Sequence, residues 1–493
     1  MLTAEVIAYH AAERPDSIAF AIDGRETSYA TLDGDVGRCG RALAAEGVSR
    51  GKLVAVGADD LYLHCLLLIA LEELGAPSAS FLRHEVESPH PLRARADLVM
   101  AEPHFPVEAA RRNLVIGDQW LQRIRTLSES DRAEPPPATD EDPIRILRTS
   151  GTTGAMKMLM LRRRQQECRL QRYAAQYQFT RASRYLVSMP LTVGHIYGAV
   201  MACLRSGGRI VFESPERMPI ARTIAAHGVT DATLMPLQLK QVLDTLPGDF
   251  QKPGQLTVCS FGAPISAGLR MRALERLATD VYNDYGCNEA GLIFLTRSCD
   301  DSGSGPIWPG VTVEIVDDSG RPVPKGTAGR IRVRSEAMVE GYLDDPEATR
   351  RMFREGWFYP GDSGLLLGRR HLRVLGRADE LLNIGGGKRA PVELEQLVLR
   401  RAGVLDAGAL SIVNADGFEE VCICVTTDGR HDEGLQARVL DALREIQLGR
   451  VIIVKLDVIP RNDAGKIRRD RLRQIVEGAL RGVARGDAPA GPG

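Results

Sequence analysis

The stretch RTSGTTGAMKM, Arg148 to Met158, decides how the rest of the chain is read. The hydroxyl residues Thr149, Ser150, Thr152 and Thr153 sit among Gly151 and Gly154, and Lys157 follows. Glycines let a backbone approach an oxyanion closely and turn its N–H groups inward. Hydroxyls donate further hydrogen bonds, and a lysine adds a point charge. The preceding PIRILR alternates apolar and polar residues and predicts a strand. A strand running into such a loop suits a polyphosphate. It is not a Walker loop, whose glycines are four residues apart and followed by Gly-Lys-Ser/Thr. Here two residues separate Gly151 from Gly154, and Met158 follows Lys157. An ordinary Ser/Thr/Gly surface turn is the competing reading, so the rest of the chain must decide.

A chain of 493 residues exceeds one core and predicts at least two domains. Hydrophobic content of 44% and charged content of 26% are those of a soluble globular protein. A net charge of -1 gives no reason to expect nucleic acid or an anionic membrane as partner. The odd number of cysteines, with no CxxC pair, predicts a reducing, cytoplasmic setting. Cys422 and Cys424, two apart on a predicted strand, share one face and read as core. The N-terminal segment carries Glu5 and has no long apolar run, so no signal peptide is expected. The longest apolar run, 65–71, is too short to span a bilayer.

Taken in order, residues 1–16 predict an amphipathic helix. Residues 18–22 and 26–29 predict strands around the Asp23-Gly24 turn. Helices over 32–46 and 61–74 flank a strand over 52–56. This alternation continues and predicts α/β layers. Residues 127–143 predict an exposed loop, and the basic run 162–172 predicts a helix with a solvated face. A helix over 195–208 leads into a strand over 209–212. From Gly310 short alternating strands predict a β-subdomain, and from 378 a smaller α+β unit. The fold expected is α/β: a large N-terminal domain, 1–378, of layered α/β subdomains plus a small β-subdomain. A mobile α+β domain, 379–480, and a disordered tail, 481–493, follow.

Further stretches bear on chemistry. NDYGCNEAG holds Tyr285, whose ring can stack on a base, and Glu289, a hard oxygen ligand suited to magnesium or else a solvated loop acid. GWFYPGDSG sets Asp362 in a glycine-flanked turn, able to take ribose hydroxyls or to close an Asx-turn. LGRADELLNIGGGKRAPVELE places Arg377 and Asp379 before Gly385, Gly386 and Gly387. PRNDAGKIRRDRL places Lys466 after a glycine.

In this order and spacing the motifs resemble the adenylate-forming superfamily: acyl- and aryl-CoA synthetases, peptide-synthetase adenylation domains and luciferase. The resemblance covers nearly the whole chain. It implies that Thr149, Ser150, Gly151, Thr152, Thr153, Gly154 and Lys157 hold the phosphates of ATP. It implies that Gly262, Ala263 and Pro264 flank adenine and that Tyr285 stacks on it, with Asp284, Gly286 and Asn288 also on the nucleotide side. Glu289 would bind Mg2+, and Asp362 and Arg377 the ribose. Lys466 would be the mobile catalytic lysine and Asp379 the hinge, with Gly385, Gly386 and Gly387 on the thiol side. The activity implied is activation of a carboxylic acid to an acyl-adenylate, then transfer to a thiol.

The family's usual loop continues Pro-Lys-Gly, whereas Met156-Lys157-Met158 stands here; Asn288 and Pro360 replace usual threonines. A catalytically weakened nucleotide- or acyl-adenylate-binding homologue is therefore one alternative. His195 and Tyr197 resemble residues that line the family's acid pocket. Tyr197 is either a reader of a ring hydroxyl or a core residue with its hydroxyl satisfied by the protein. Aryl and fatty acids both stay open. An α-amino acid fits less well, because the segment around His195 has no acidic residue. With no carrier domain after Lys466, the expected acceptor is coenzyme A, the alternative a separate phosphopantetheinyl carrier protein. The sequence leaves monomer and homodimer open.

Overall fold

The computed structural model describes all residues except 84–90, 106, 108–111, 129–136, 151–155, 298–302, 379, 381, 385–386, 390, 414–418, 430–432, 445, 447–450, 462–465 and 485–493. The helix Leu61–Glu73 is apolar on every side, and every one of its residues is buried. A helix without a polar face must lie between layers. It packs against both main sheets of the large domain.

The first of these sheets has eight strands. Its interior runs parallel through Asp280–Cys287, Thr257–Ser260, Asp231–Thr233, Arg184–Leu186, Arg209–Phe212 and Ile18–Ile22. Antiparallel edges are Gly291–Thr296 and Arg25–Ser28. The second sheet has seven strands; its antiparallel pair Pro143–Ser150 and Met156–Arg162 lies between the short edge strand Tyr342–Leu343 and the parallel strands. A third, largely antiparallel sheet is built from residues beyond 304, as the alternation after Gly310 predicts. The C-terminal part has a three-stranded sheet, Asp406–Val413, Glu419–Thr426 and Val451–Lys455, with helices Pro391–Arg401, Leu435–Ala442 and Arg469–Ala484. Among the described residues, every buried apolar cluster draws on one side of residue 379 only. Cys422 and Cys424 lie in the C-terminal core, as their spacing predicts.

Two expectations are corrected, and one strand is new. Met156–Arg162, for which the sequence reading made no assignment, is a strand that pairs antiparallel with Pro143–Ser150 before any helix begins. The near-continuous apolar run MKMLML hides the period-2 signal there. The basic helix, Arg163–Tyr177, does not present a solvated face: Arg163, Gln165, Gln166, Arg169 and Arg172 are all buried. Arg169 donates to the Ala337 carbonyl at 2.7 Å and to the Asn288 carbonyl at 2.8 Å. Arg172 donates to Ser335 Oγ at 2.9 Å, and Gln165 to the Met338 carbonyl at 3.0 Å. A planar fork of donors suits exposed carbonyls of a neighbouring element, so the arginines act as a clamp on the β-region. Finally, the last helix continues to Ala484, past the predicted start of the tail at 481. The inward residues Leu472 and Val476, one turn apart and both 0% exposed, carry its packed face.

Replacing Arg169 with alanine strands buried carbonyls at the Asn288 turn and at Ala337. The expected loss is about 2–4 kcal/mol of unfolding free energy, read by urea denaturation; a change under about 0.5 kcal/mol would remove the clamp.

Candidate active site

The site gathers around one hairpin, Asp280–Cys287 and Gly291–Thr296. A side chain on Gly286 would stand 2.6 Å from the Gly291 carbonyl, so the close approach requires glycine. A bulge falls between Tyr285 and Gly286. Successive residues of a strand face opposite ways, and here that alternation divides the two halves of the site.

One face carries Tyr285. Its hydroxyl donates to Asp362 Oδ2 at 2.5 Å, and its ring tilts against Phe294. Asp362 and Arg377 are register partners on adjacent strands. Arg377 Nη1 donates to the Pro360 carbonyl at 2.6 Å and reaches Asp362 Oδ1 at 3.4 Å. Gly361, at φ +81°, lets Arg377 lie across it; a Cβ there would meet Arg377 Nη2 at 2.6 Å. Burial raises the Asp362 pKa, and the charges of Arg377 and Lys466, with the Tyr285 hydrogen bond, pull it partly back. The exposed Lys466 thus lies within electrostatic reach of Asp362. The Gly262-Ala263-Pro264 turn is held by Asn283, whose amide donates to the carbonyls of Ser260 at 2.7 Å and Ala263 at 3.2 Å.

The hairpin turn carries Glu289, which is 7% exposed rather than solvated. Tyr342 donates to its Oε1 at 2.9 Å. The Tyr342 ring also lies under Lys157 Nζ, 4.7 Å from the centroid, and Lys157 reaches Asp345 at 3.9 Å. Tyr342 therefore ties the expected metal ligand to the loop lysine. Sequence reading missed it because it comes from a distant strand, Tyr342–Leu343, paired with Met156–Arg162. Thr149 pairs with Lys157 and Ser150 with Met156 across the hairpin. Gly151, Thr152, Thr153 and Gly154 lie outside the described residues, as do Asp379, Gly385 and Gly386; Gly387 opposes Ile384 in a short hairpin. Asn288, expected at the nucleotide, donates to the Arg148 carbonyl at 2.9 Å and so anchors the strand that feeds the loop.

Asp284, expected on the nucleotide side, points the other way from Tyr285, so its carboxylate lies on the face opposite Asp362. It meets His195 Nδ1 at 3.2 Å and Gln176 Nε2 at 3.3 Å. His195 Nε2 lies 2.8 Å from the Tyr177 hydroxyl. The His195 ring stacks on Phe261 at 4.6 Å and 15° and meets the edge of Tyr173. Tyr197 does not join it. Residues two apart on a helix face different sides, and Tyr197 turns into the core at 3% exposure. There its hydroxyl accepts from Gln166 at 2.8 Å, and Arg145 stacks on its ring at 4.1 Å. Of the two readings of Tyr197, this is the packing one. Phe261, Tyr177 and Gln176 carried no local sequence signal.

Comparison with known proteins agrees with this geometry. The chain is 27% identical to an indoleacetate–CoA ligase of Aromatoleum aromaticum, over 97% of this chain and 98% of that one. It is 25% identical to a 3-hydroxybenzoate–CoA ligase of Aromatoleum sp., over 94% of each. Its fold matches the anthranilate CoA ligase AuaEII in complex with anthranoyl-AMP (TM-score 0.85, 21% identity, 97% of this chain and 98% of that one). It also matches ATP-bound MatB from Rhodopseudomonas palustris (TM-score 0.84, 23% identity, 96% and 99%). The model of the AMP-binding enzyme family matches residues 7–343, and the chain belongs to that family.

Proposed function

We propose that this AMP-binding enzyme activates an aromatic carboxylic acid with ATP and passes the acyl group to the thiol of coenzyme A. The reaction class is that of an AMP-forming acid–thiol ligase. The observation that carries the aromatic part is the set of rings at the carboxyl ends of the parallel strands. There Phe261 stacks on His195, and Tyr173 and Tyr177 close on its edges. Ligands of open α/β sheets bind at those strand ends, and stacked rings favour a flat ring over a flexible alkyl chain. The names of the two curated relatives, both ligases of aromatic acids to coenzyme A, support the same reading.

In the first step a carboxylate oxygen attacks the α-phosphorus of ATP, and the bond to pyrophosphate breaks. In the second a thiolate attacks the acyl carbon, and AMP leaves. The acid is already ionised, so no base is needed; the obstacle is the repulsion between two anions. Lys157 and Lys466 supply positive charge on the nucleotide side, and Arg377 and Asp362 hold the ribose end. Glu289 fits a magnesium ligand: it is a buried carboxylate with one oxygen held by Tyr342 and the other without a hydrogen bond among the described residues. Magnesium there would neutralise phosphate charge. The residues beyond 379 form a unit with its own core, and we take Asp379 as the hinge on which it moves between the two steps. A screen of aromatic and fatty acids for pyrophosphate release, with coenzyme A or a phosphopantetheinylated carrier as acceptor, tests the assignment. Release with fatty acids alone would refute the aromatic part, and transfer to a carrier alone would refute coenzyme A.

Lys466→Ala is expected to slow adenylation by about 10²–10³-fold and to spare thioester formation from preformed acyl-adenylate; equal losses in both half-reactions would remove its role. Tyr342→Phe leaves Glu289 without its donor and should weaken MgATP binding by about 1–3 kcal/mol, read by titration calorimetry without acid. ATP binding in the absence of magnesium should change little. Tyr197→Phe should leave the ratio of kcat/KM for a hydroxylated acid and its unsubstituted parent unchanged, because its hydroxyl is engaged by Gln166. A selective loss of the hydroxylated acid would return Tyr197 to the pocket.

A further inference from the structure

The acid side of the hairpin holds more acceptors than donors. Asp284 Oδ2 accepts from Gln176 Nε2 at 3.3 Å and lies 3.2 Å from His195 Nδ1, and the Cys259 thiol stands 3.9 Å away. Asp284 Oδ1 has no partner among the described residues, and the side chain is only 8% exposed. Gln176 Oε1 is buried and unpartnered as well. Buried polar atoms are rarely left so, and a carboxylate in a closed site calls for hydrogen-bond donors.

The placement of these atoms gives them a common target. Ser260 ends the strand Thr257–Ser260 and pairs with Asn283, the residue before Asp284. Phe261 follows Ser260, and its ring stacks on the imidazole that pairs with Asp284. Gln176 approaches from the arginine helix. Asp284 Oδ1 and Gln176 Oε1, on side chains that meet each other, thus lie beside the ring stack on the face of the hairpin opposite Tyr285, whereas Ser260, in register with Asn283, turns the other way.

We propose that Asp284 determines specificity by accepting a hydrogen bond from an N–H or O–H carried on the ring of the aromatic acid. The enzyme thereby selects amino-, hydroxy- or ring-N–H acids over isosteres that lack the donor. The inference rests on the aromatic reading above. A site built to pair with a substrate donor rejects the analogue without it far more strongly than an apolar pocket rejects a methylene change.

The test is kcat/KM for pyrophosphate release with the aminobenzoates, hydroxybenzoates and indole-3-acetate against fluoro-, methyl- and donor-free counterparts. Wild type should favour at least one donor-bearing acid by about tenfold or more. Asp284→Leu, which removes both oxygens, should bring that preference below about threefold, and Asp284→Asn, which keeps one acceptor, should restore part of it. The KM for ATP should move less than about twofold, since Asp284 faces away from Tyr285. A uniform loss across both classes of acid would make Asp284 a support for His195 and overturn the proposal, as would a wild type indifferent to the donor. If Asp284→Leu does not fold, an unchanged preference in Asp284→Asn overturns it alone. Activation of fatty acids with no aromatic acid accepted would instead overturn the aromatic reading itself.

Discussion

The period of two along Asp280–Cys287 is the constraint on which the site depends. Tyr285 and Asp284 are neighbours in the chain, yet one turns to Asp362 and the other to His195. The strand thereby sets the Tyr285–Asp362 group and the Asp284–His195 group on its two sides, about a backbone's thickness apart. Register matters accordingly. A slip of one residue would send Tyr285 to the His195 side and Asp284 to the Asp362 side. The Gly286–Gly291 approach holds the register, because a Cβ on Gly286 would stand 2.6 Å from the Gly291 carbonyl and keep the hairpin from closing there.

A hairpin tip in open solvent would not hold Glu289 still. The clamp from the arginine helix does so by fixing the carbonyl of Asn288, while the Asn288 side chain fixes the Arg148 carbonyl at the base of the phosphate loop. A side chain on Gly194, at the start of the helix that carries His195, would meet Asn288 Oδ1 at 2.6 Å. Turn, loop and acid-side helix therefore share one residue as their meeting point. This explains why asparagine serves here: its amide donates to one element while its oxygen lies against another.

Much of this was legible in the chain. The glycines of the loop, the Gly-Asp turn and the carboxylate after Tyr285 announce themselves because their chemistry is local. The layered fold follows from alternating periods. What stayed hidden is non-local. A run of arginines reads as solvated unless the carbonyls it will meet are known, and those come from residues 288 and 335–338. Asp284 reads as part of a nucleotide motif until pairing shows which face it takes. The acidic residue absent from the His195 segment is supplied by a strand some ninety positions on. Tyr342 carries no motif of its own, and its value appears only when Lys157 and Glu289 converge on it.

The position of Lys466 completes the argument. Its charge partly offsets the rise that burial gives the Asp362 pKa, so Lys466 lies within electrostatic reach of the carboxylate proposed to hold the ribose. Nothing apolar holds the C-terminal unit there: among the described residues no buried cluster crosses residue 379, and Leu472 and Val476 face the unit's own core. A lysine delivered by such a unit can approach while two anions are being joined and withdraw once pyrophosphate has left. Its cation is of no use to a thiolate attacking the acyl carbon. A fixed lysine would also leave no room for a second substrate on the same side. On the function proposed above, the hairpin carries the permanent geometry of the site, and the unit beyond residue 379 carries the charge needed for a single step.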